Sequence, residues 1–258
     1  MAQSNTKRLL YQNDIVEKYP DVLNADALIA LEKLAELNDE RIALMQKRDA
    51  KRQQRFANKE RITFLESDGT IGGSNITVAD ARAGRFSGPP IPEDLQRQWI
   101  QGTGPAAKPG APLESSIRSV AYALLSGADG WMFDGEDALG QITTMSFDNQ
   151  VSLKLAIAHD PLFLEVAESV SAEMNSWAQG FFGRDIISDW RSQLDFTTKI
   201  FRARGLHLDD RHIQMADGTG FSAAIADMCL YVTNNQEALR AAGSSIVLYL
   251  PKIQTAEE

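Results

Sequence analysis

The residues able to do chemistry gather in three short stretches. Phe201–His212, FRARGLHLDDRH, packs three arginines (Arg202, Arg204, Arg211) and two histidines (His207, His212) into twelve residues of an otherwise acidic chain. Trp131–Leu139, WMFDGEDAL, is an apolar run that stops at three acids, Asp134, Glu136 and Asp137. A third stretch, SSIVLYLPK, ends on Pro251 and Lys252. An arginine presents a planar fork of donors that matches a carboxylate. Sheltered from water, it can hold an α-keto acid and stabilise charge developing on a carbonyl oxygen. Acids beside it can orient it, bind a cation or take a proton. The plainer alternative is a rim salt bridge from Arg202 or Arg204 to Glu136 or Asp137. Residue types alone leave both readings open.

Spacing separates the candidates further. Arg202 and Arg204 are two apart, so they share a face if a strand runs through both. A turn at Arg204–Gly205 breaks that symmetry. Arg202 is then the better-held arginine, and Arg204 is expected to pair at the rim. His207 and His212 are not at i, i+4 spacing, so they do not form a helical metal pair. Lys252 can meet an anionic group, although a strand-end lysine is more often a structural ion pair.

The elements that must position these residues follow from periodicity. A helix is expected from Asn24 to about Lys59, capped by Asn24 or Asp26, with Leu28, Leu31, Leu34, Ile42 and Met45 on its apolar side. Its second half, QKRDAKRQQRF, reads as a solvated face. Residues 61–112 carry DGTIGGSN, GRFSGPPIP and GTGPAAKPGAP, which forbid a long helix, with short strands such as NITVAD at most. Helices are expected at Leu113–Gly127, Asp148–Ile157 and Pro161 to about Gly180. The last carries Leu162, Phe163, Val166, Val170, Met174 and Trp177 as its stripe. FTTKIFRARG and SSIVLYLPK read as strands on either side of a helix in GFSAAIADMCLYVTNNQEALRAAG. Strands separated by helices predict an α/β fold with a parallel sheet, whose strand C-termini carry the chemistry. Three domains result: a helical segment at 1–60, an irregular segment at 61–112 and a strand–helix domain at 113–258.

Composition narrows the function. A net charge of −9 argues against broad nucleic-acid binding, which needs basic surface. The single cysteine, Cys229, lies in an apolar run and reads as a small buried hydrophobe. No run reaches membrane-spanning length, and the first residues lack the apolar core of a signal peptide. A cytoplasmic enzyme or binding protein is expected.

Six motifs, in order, resemble the malate synthases, nearest to the A-type branch. They are LNADALIALEKLAELNDERIALMQKRDAKRQQ, IPEDLQRQWIQGTGP, WMFDGEDAL, DNQVSLKLAI, FRARGLHLDDRHI and IADMCLYVTNNQEALRAAGSSIVLYLPKIQ. The resemblance implies an N-terminal helical clasp followed by the first strands of a TIM (β/α)8 barrel, about three βα units, with a helical insertion near 161–190. It implies condensation of acetyl-CoA with glyoxylate to malate and CoA, using magnesium. By motif position the catalytic arginine falls on Arg202, with Glu136, Asp137, Arg204 and Lys252 binding or supporting substrate. The family's magnesium ligands and catalytic aspartate are expected beyond Glu258. The barrel is therefore expected to be incomplete in this chain, and the chain alone inactive, until a C-terminal half or a second chain completes it. DGEDA lacks the aromatic and serine of the family's strand end, which bears on substrate identity. The alternatives are a related acyl-CoA lyase or aldolase-type barrel acting on another keto acid, and a non-catalytic remnant that binds a partner.

Overall fold

The computed structural model describes residues 7–137, 141–255 and 257–258. Its central feature is a parallel sheet of β2 (Trp99–Gln101), β3 (Gly130–Asp134), β4 (Thr198–Arg202) and β7 (Val247–Tyr249), in that order. A smaller antiparallel sheet joins β1 (Leu9–Tyr11), β5 (Asp209–Met215) and β6 (Gly220–Ser222). The helices are α1 (Ile15–Lys18), α2 (Ala25–Leu34), α3 (Asn38–Asn58), α4 (Val78–Arg82), α5 (Leu113–Leu124), α6 (Met145–Ile157), α7 (Pro161–Phe182), α8 (Trp190–Phe196) and α9 (Ala223–Ala241). Helical crossovers through α5, through α6–α8 and through α9 join the four parallel strands, as parallel pairing requires. The four strands do not close on one another, so the described fold is α/β with an open parallel sheet.

Alternation sorts each strand between two environments. On β4, Phe201 points to the helices and stacks on Tyr231 of α9 with ring centroids 5.3 Å apart. Phe133 joins the same core with Ile117, Leu124, Phe163 and Val170. Burying each such side chain contributes roughly 1.5–3 kcal/mol. The α7 stripe is Phe163, Val166, Ala167, Val170, Ser171 and Ala178, with Met174 partly buried against the core. Leu162 and Trp177, expected on that stripe, are exposed, because each is one residue out of step with the inward face.

The N-terminal helix is broken. Asn24 caps α2 by accepting from Ala27 N at 3.0 Å, but a 3₁₀ turn at Ala35–Leu37 separates α2 from α3. Buried Asn38 then bonds β6 twice, donating to Gly220 O (2.9 Å) and accepting from Ser222 N (3.1 Å). Leu23, Ala27 and Leu31 pack with Phe221, Ile225 and Leu230 in a second core. The charged second half of α3 is solvated, as expected.

Two local readings change. NITVAD is not a strand: Thr77 caps α4 in a capping box with Asp80. The first strand of the parallel sheet comes from the Gly/Pro-rich segment, where Trp99–Gln101 pairs with β3. His212, a candidate by residue type, lies buried in β5, which Asp209 begins, with its ring edge on Phe147. β2 is only three residues long, and the charged start of β5, DDRH, carries no apolar alternation.

β4 also buries Lys199, whose Nζ donates to the carbonyls of Leu194 (2.5 Å) and Thr197 (3.1 Å). Burial pushes this amine down from 10.5 to about 8. The unfolded chain therefore binds the extra proton between those values, and stability rises as pH climbs through that window. The difference corresponds to roughly 3 kcal/mol at most. Chemical denaturation from pH 7.5 to 10.5 should show this rise in the wild type but not in Lys199→Met. Parallel curves for the two proteins would show that Lys199 is not buried charged.

Candidate active site

Parallel pairing places the C-terminal ends of the strands side by side. Asp134 of β3 is the register partner of Arg202 of β4, and Arg202 is the partner of Tyr249 of β7. The guanidinium lies between them, donating from Nη1 to Asp134 Oδ2 at 2.9 Å and with its carbon 5.8 Å from the Tyr249 ring centroid. Gln101, at the end of β2, donates to the same Asp134 oxygen at 2.8 Å.

Asp134 also builds the turn that follows it. Its Oδ1 accepts from the backbone N–H groups of Glu136 (3.0 Å) and Asp137 (2.9 Å). Gly135 makes the turn possible: its N–H bonds Arg202 O at 2.9 Å, and an added Cβ would sit 2.6 Å from the Phe201 ring. The turn returns two more carboxylates to the guanidinium. Glu136 Oε2 accepts from Nη2 at 2.8 Å, and Asp137 Oδ2 accepts from Nη1 at 2.7 Å. Lys252 Nζ reaches Glu136 Oε1 at 3.0 Å and Asp137 Oδ1 at 3.4 Å. One guanidinium thus holds three carboxylates, and one ammonium shares two of them.

The protonation states follow the contacts. The hydrogen bond from Arg202, with Lys252 adding to it, holds the Asp137 carboxyl below the usual range. The bond to Glu136 raises the Lys252 amine. Burial opposes the Arg202 charge, but the hydrogen bond to Asp137 and the charges of Asp134, Asp137 and Glu136 outweigh it. Arg202, Asp137 and Lys252 are therefore charged at neutral pH.

The structure brings together Arg202, Glu136, Asp137 and Lys252. Arg204 sits elsewhere. It is not a rim residue: its side chain is 2% exposed and faces α9 and β5. Its Nε and Nη2 donate to Asp227 at 2.9 and 2.6 Å, Nη2 donates to Asp210 at 2.8 Å, and Nη1 donates to Gln141 at 3.0 Å. β4 ends at Arg202, so strand alternation does not extend to Arg204 and its side chain turns into the core. Asp134 joins Glu136 and Asp137 as a partner of Arg202, and an acid two residues before Glu136 at a strand end is itself a turn signal. Gln101 and Tyr249 had no signal, because only register brings them to Arg202.

The described residues do not form a magnesium site. Asp134, Glu136 and Asp137 are all committed to Arg202 or Lys252, and no other group of three His, Cys, Asp or Glu among the described residues is disposed around a common point. None of the described helices is long and apolar enough to cross a membrane. A cleft of about 1240 Å³ opens beside β1, α1 and α2, but no residue of the Arg202 cluster lines it.

Charged groups converging at the C-terminal ends of parallel strands, with helices packed outside, define an α/β protein of TIM-barrel type, present here as its opening strands. The comparisons agree: a family model described as "Malate synthase, TIM barrel domain" matches residues 198–258. The chain is 28% identical to the malate synthase of Myxococcus xanthus (strain DK1622) over 238 residues, 92% of this chain and 37% of that protein. It is 25% identical to the glyoxysomal malate synthase of Cucurbita maxima, covering 94% of this chain and 37% of that one. Malate synthase A of Escherichia coli (strain K12) is 26% identical over 65% of this chain and 26% of its own length. By sequence the chain is similar to these malate synthases over most of its length, and it spans little more than a third of them at most.

The buried Arg204–Asp227 pair makes a stability prediction. Asp227 accepts from the Arg204 backbone N–H, Nε and Nη2, so removing it leaves buried donors of a charged group unpaired even though Asp210 stays, which costs about 3–5 kcal/mol. Asp227→Ala should lower the unfolding free energy by that amount, read as a lower urea midpoint with an unchanged slope. A loss under about 1 kcal/mol would mean that Asp210 alone suffices for Arg204.

Proposed function

We propose that Arg202 is the carbonyl-polarising arginine of a malate synthase-type site that condenses acetyl-CoA with glyoxylate to give malate and CoA. The observation that carries this reading is the buried guanidinium at a parallel strand end, fixed by three carboxylates from the neighbouring strand end. In this reaction a base removes a methyl proton from acetyl-CoA. The resulting carbanion bonds to the aldehyde carbon of glyoxylate. The aldehyde oxygen gains negative charge, and a held guanidinium stabilises it without reorganising. Water then cleaves the thioester and releases CoA. Glu136 and Asp134 orient Arg202, Lys252 balances Glu136 and Asp137, and Arg204 anchors the end of β4 from behind. A cytoplasmic setting belongs to the same reading.

The base and the magnesium have to come from elsewhere. Each carboxylate beside Arg202 is paired with a cation and poorly placed to take a proton. The open sheet supports the same view. Among the described residues β7 pairs only with β4, and Tyr249 at its end, with Leu250 and Ile253 after it, is exposed. The remaining strands are then supplied by a C-terminal half or by a second chain.

CoA release from acetyl-CoA and glyoxylate tests this. The 258-residue chain alone should release none. A chimera completed with the remaining barrel and C-terminal region of the Myxococcus xanthus relative should release CoA. In that chimera Arg202→Lys keeps the charge but loses the fork, and kcat should fall about 10²-fold or more. A fall of less than twofold removes Arg202 from the chemistry. A chimera that cleaves malyl- or citramalyl-CoA but forms no malate would make the lyase alternative correct.

A further inference from the structure

The three carboxylates on Arg202 are not equivalent. Asp134 and Glu136 are interior, with side chains 7% and 2% exposed, whereas the Asp137 side chain is 57% exposed. Asp134 accepts from two backbone N–H groups, Gln101 and Arg202, so it is fixed. Among the described residues, the Asp137 carboxylate meets only two side-chain cations, Arg202 at 2.7 Å and Lys252 at 3.4 Å. Its backbone is held independently, because the turn depends on Asp134 and not on the Asp137 side chain. An exposed ion pair of this kind is weak. One oxygen of Asp137 on Nη1 and the other on Nζ is also how a small external carboxylate would be gripped.

We propose that Asp137 fills, from within the chain, the seat of the substrate carboxylate, and that an incoming small carboxylate displaces it from Arg202 Nη1 and Lys252 Nζ. The exchange conserves charge. Arg202 and Lys252 face three carboxylates before the exchange and three after it, one of them now the ligand's. The guanidinium also has a donor in hand: Arg202 Nε is buried and has no acceptor among the described residues. The exchange itself follows from the geometry, while naming the ligand as an α-keto acid such as glyoxylate rests on the reading above.

Binding to the 258-residue chain tests the exchange without requiring turnover. Glyoxylate and acetate are titrated by NMR into wild type, Asp137→Ala, Asp137→Ser and Asp137→Ala/Lys252→Met. Removing the internal competitor should tighten glyoxylate binding about fivefold in both single variants, the equilibrium equivalent of losing an exposed ion pair. The double variant should lose that gain. Unchanged or weaker binding in both single variants overturns the proposal, as does a gain that survives loss of Lys252. An equal gain for acetate upholds the exchange but counts against the α-keto acid reading, so the two ideas fail separately.

Discussion

Everything at the strand ends depends on one guanidinium held against one carboxylate in register. Arg202 and Asp134 are partners across two adjacent parallel strands, so their side chains leave the sheet at the same level and on the same face. A slip of one residue would send Arg202 into the helical core and bring Phe201 to the strand-end cluster. The hydrophobic alternation of β4 resists that slip, because Phe201 is already stacked on Tyr231. Packing on one face of the strand therefore sets the electrostatics on the other.

The remaining architecture braces this pair. Arg204 ties the end of β4 to α9 through Asp227 and to β5 through Asp210, with all three groups buried. Arg41 of α3 reaches into the following loop, donating to the carbonyls of Leu206 (2.6 Å) and Leu208 (2.9 Å). The N-terminal helices thus do more than cover α9: they hold the loop that leaves the site. Gly205, at the start of that loop, has no room for a Cβ between the His207 ring and Glu136 Oε1. The loop, the turn after β3 and the N-terminal helix are mechanically one unit.

A cluster with three carboxylates and two cations carries a net negative charge and does not attract an anion by field alone. Its use lies in geometry. The two interior carboxylates fix where the guanidinium points, and the exposed one is the component free to exchange. A rigid inner half and a replaceable outer half let one site be both preorganised and accessible.

Much of this was legible in the residues. The helices α5, α6, α7 and α9, the strands β4 and β7, the Asn24 cap and the placing of Arg202, Glu136, Asp137 and Lys252 at the ends of apolar runs follow from periodicity and turn chemistry. Local sequence determined those features because each depends on neighbours within a few residues. It did not determine that Arg204 is interior, that Asp134 is the register partner of Arg202, or that Gln101 and Tyr249 flank the guanidinium. Those depend on contacts such as Arg204–Asp227 and Asp134–Arg202, 23 and 68 positions apart, reached only when the sheet pairs and α9 packs against it. The sequence thus determined which groups stand at the strand ends. Tertiary structure decided which of them face one another, because register and helix packing are properties of the assembled sheet and not of any one segment.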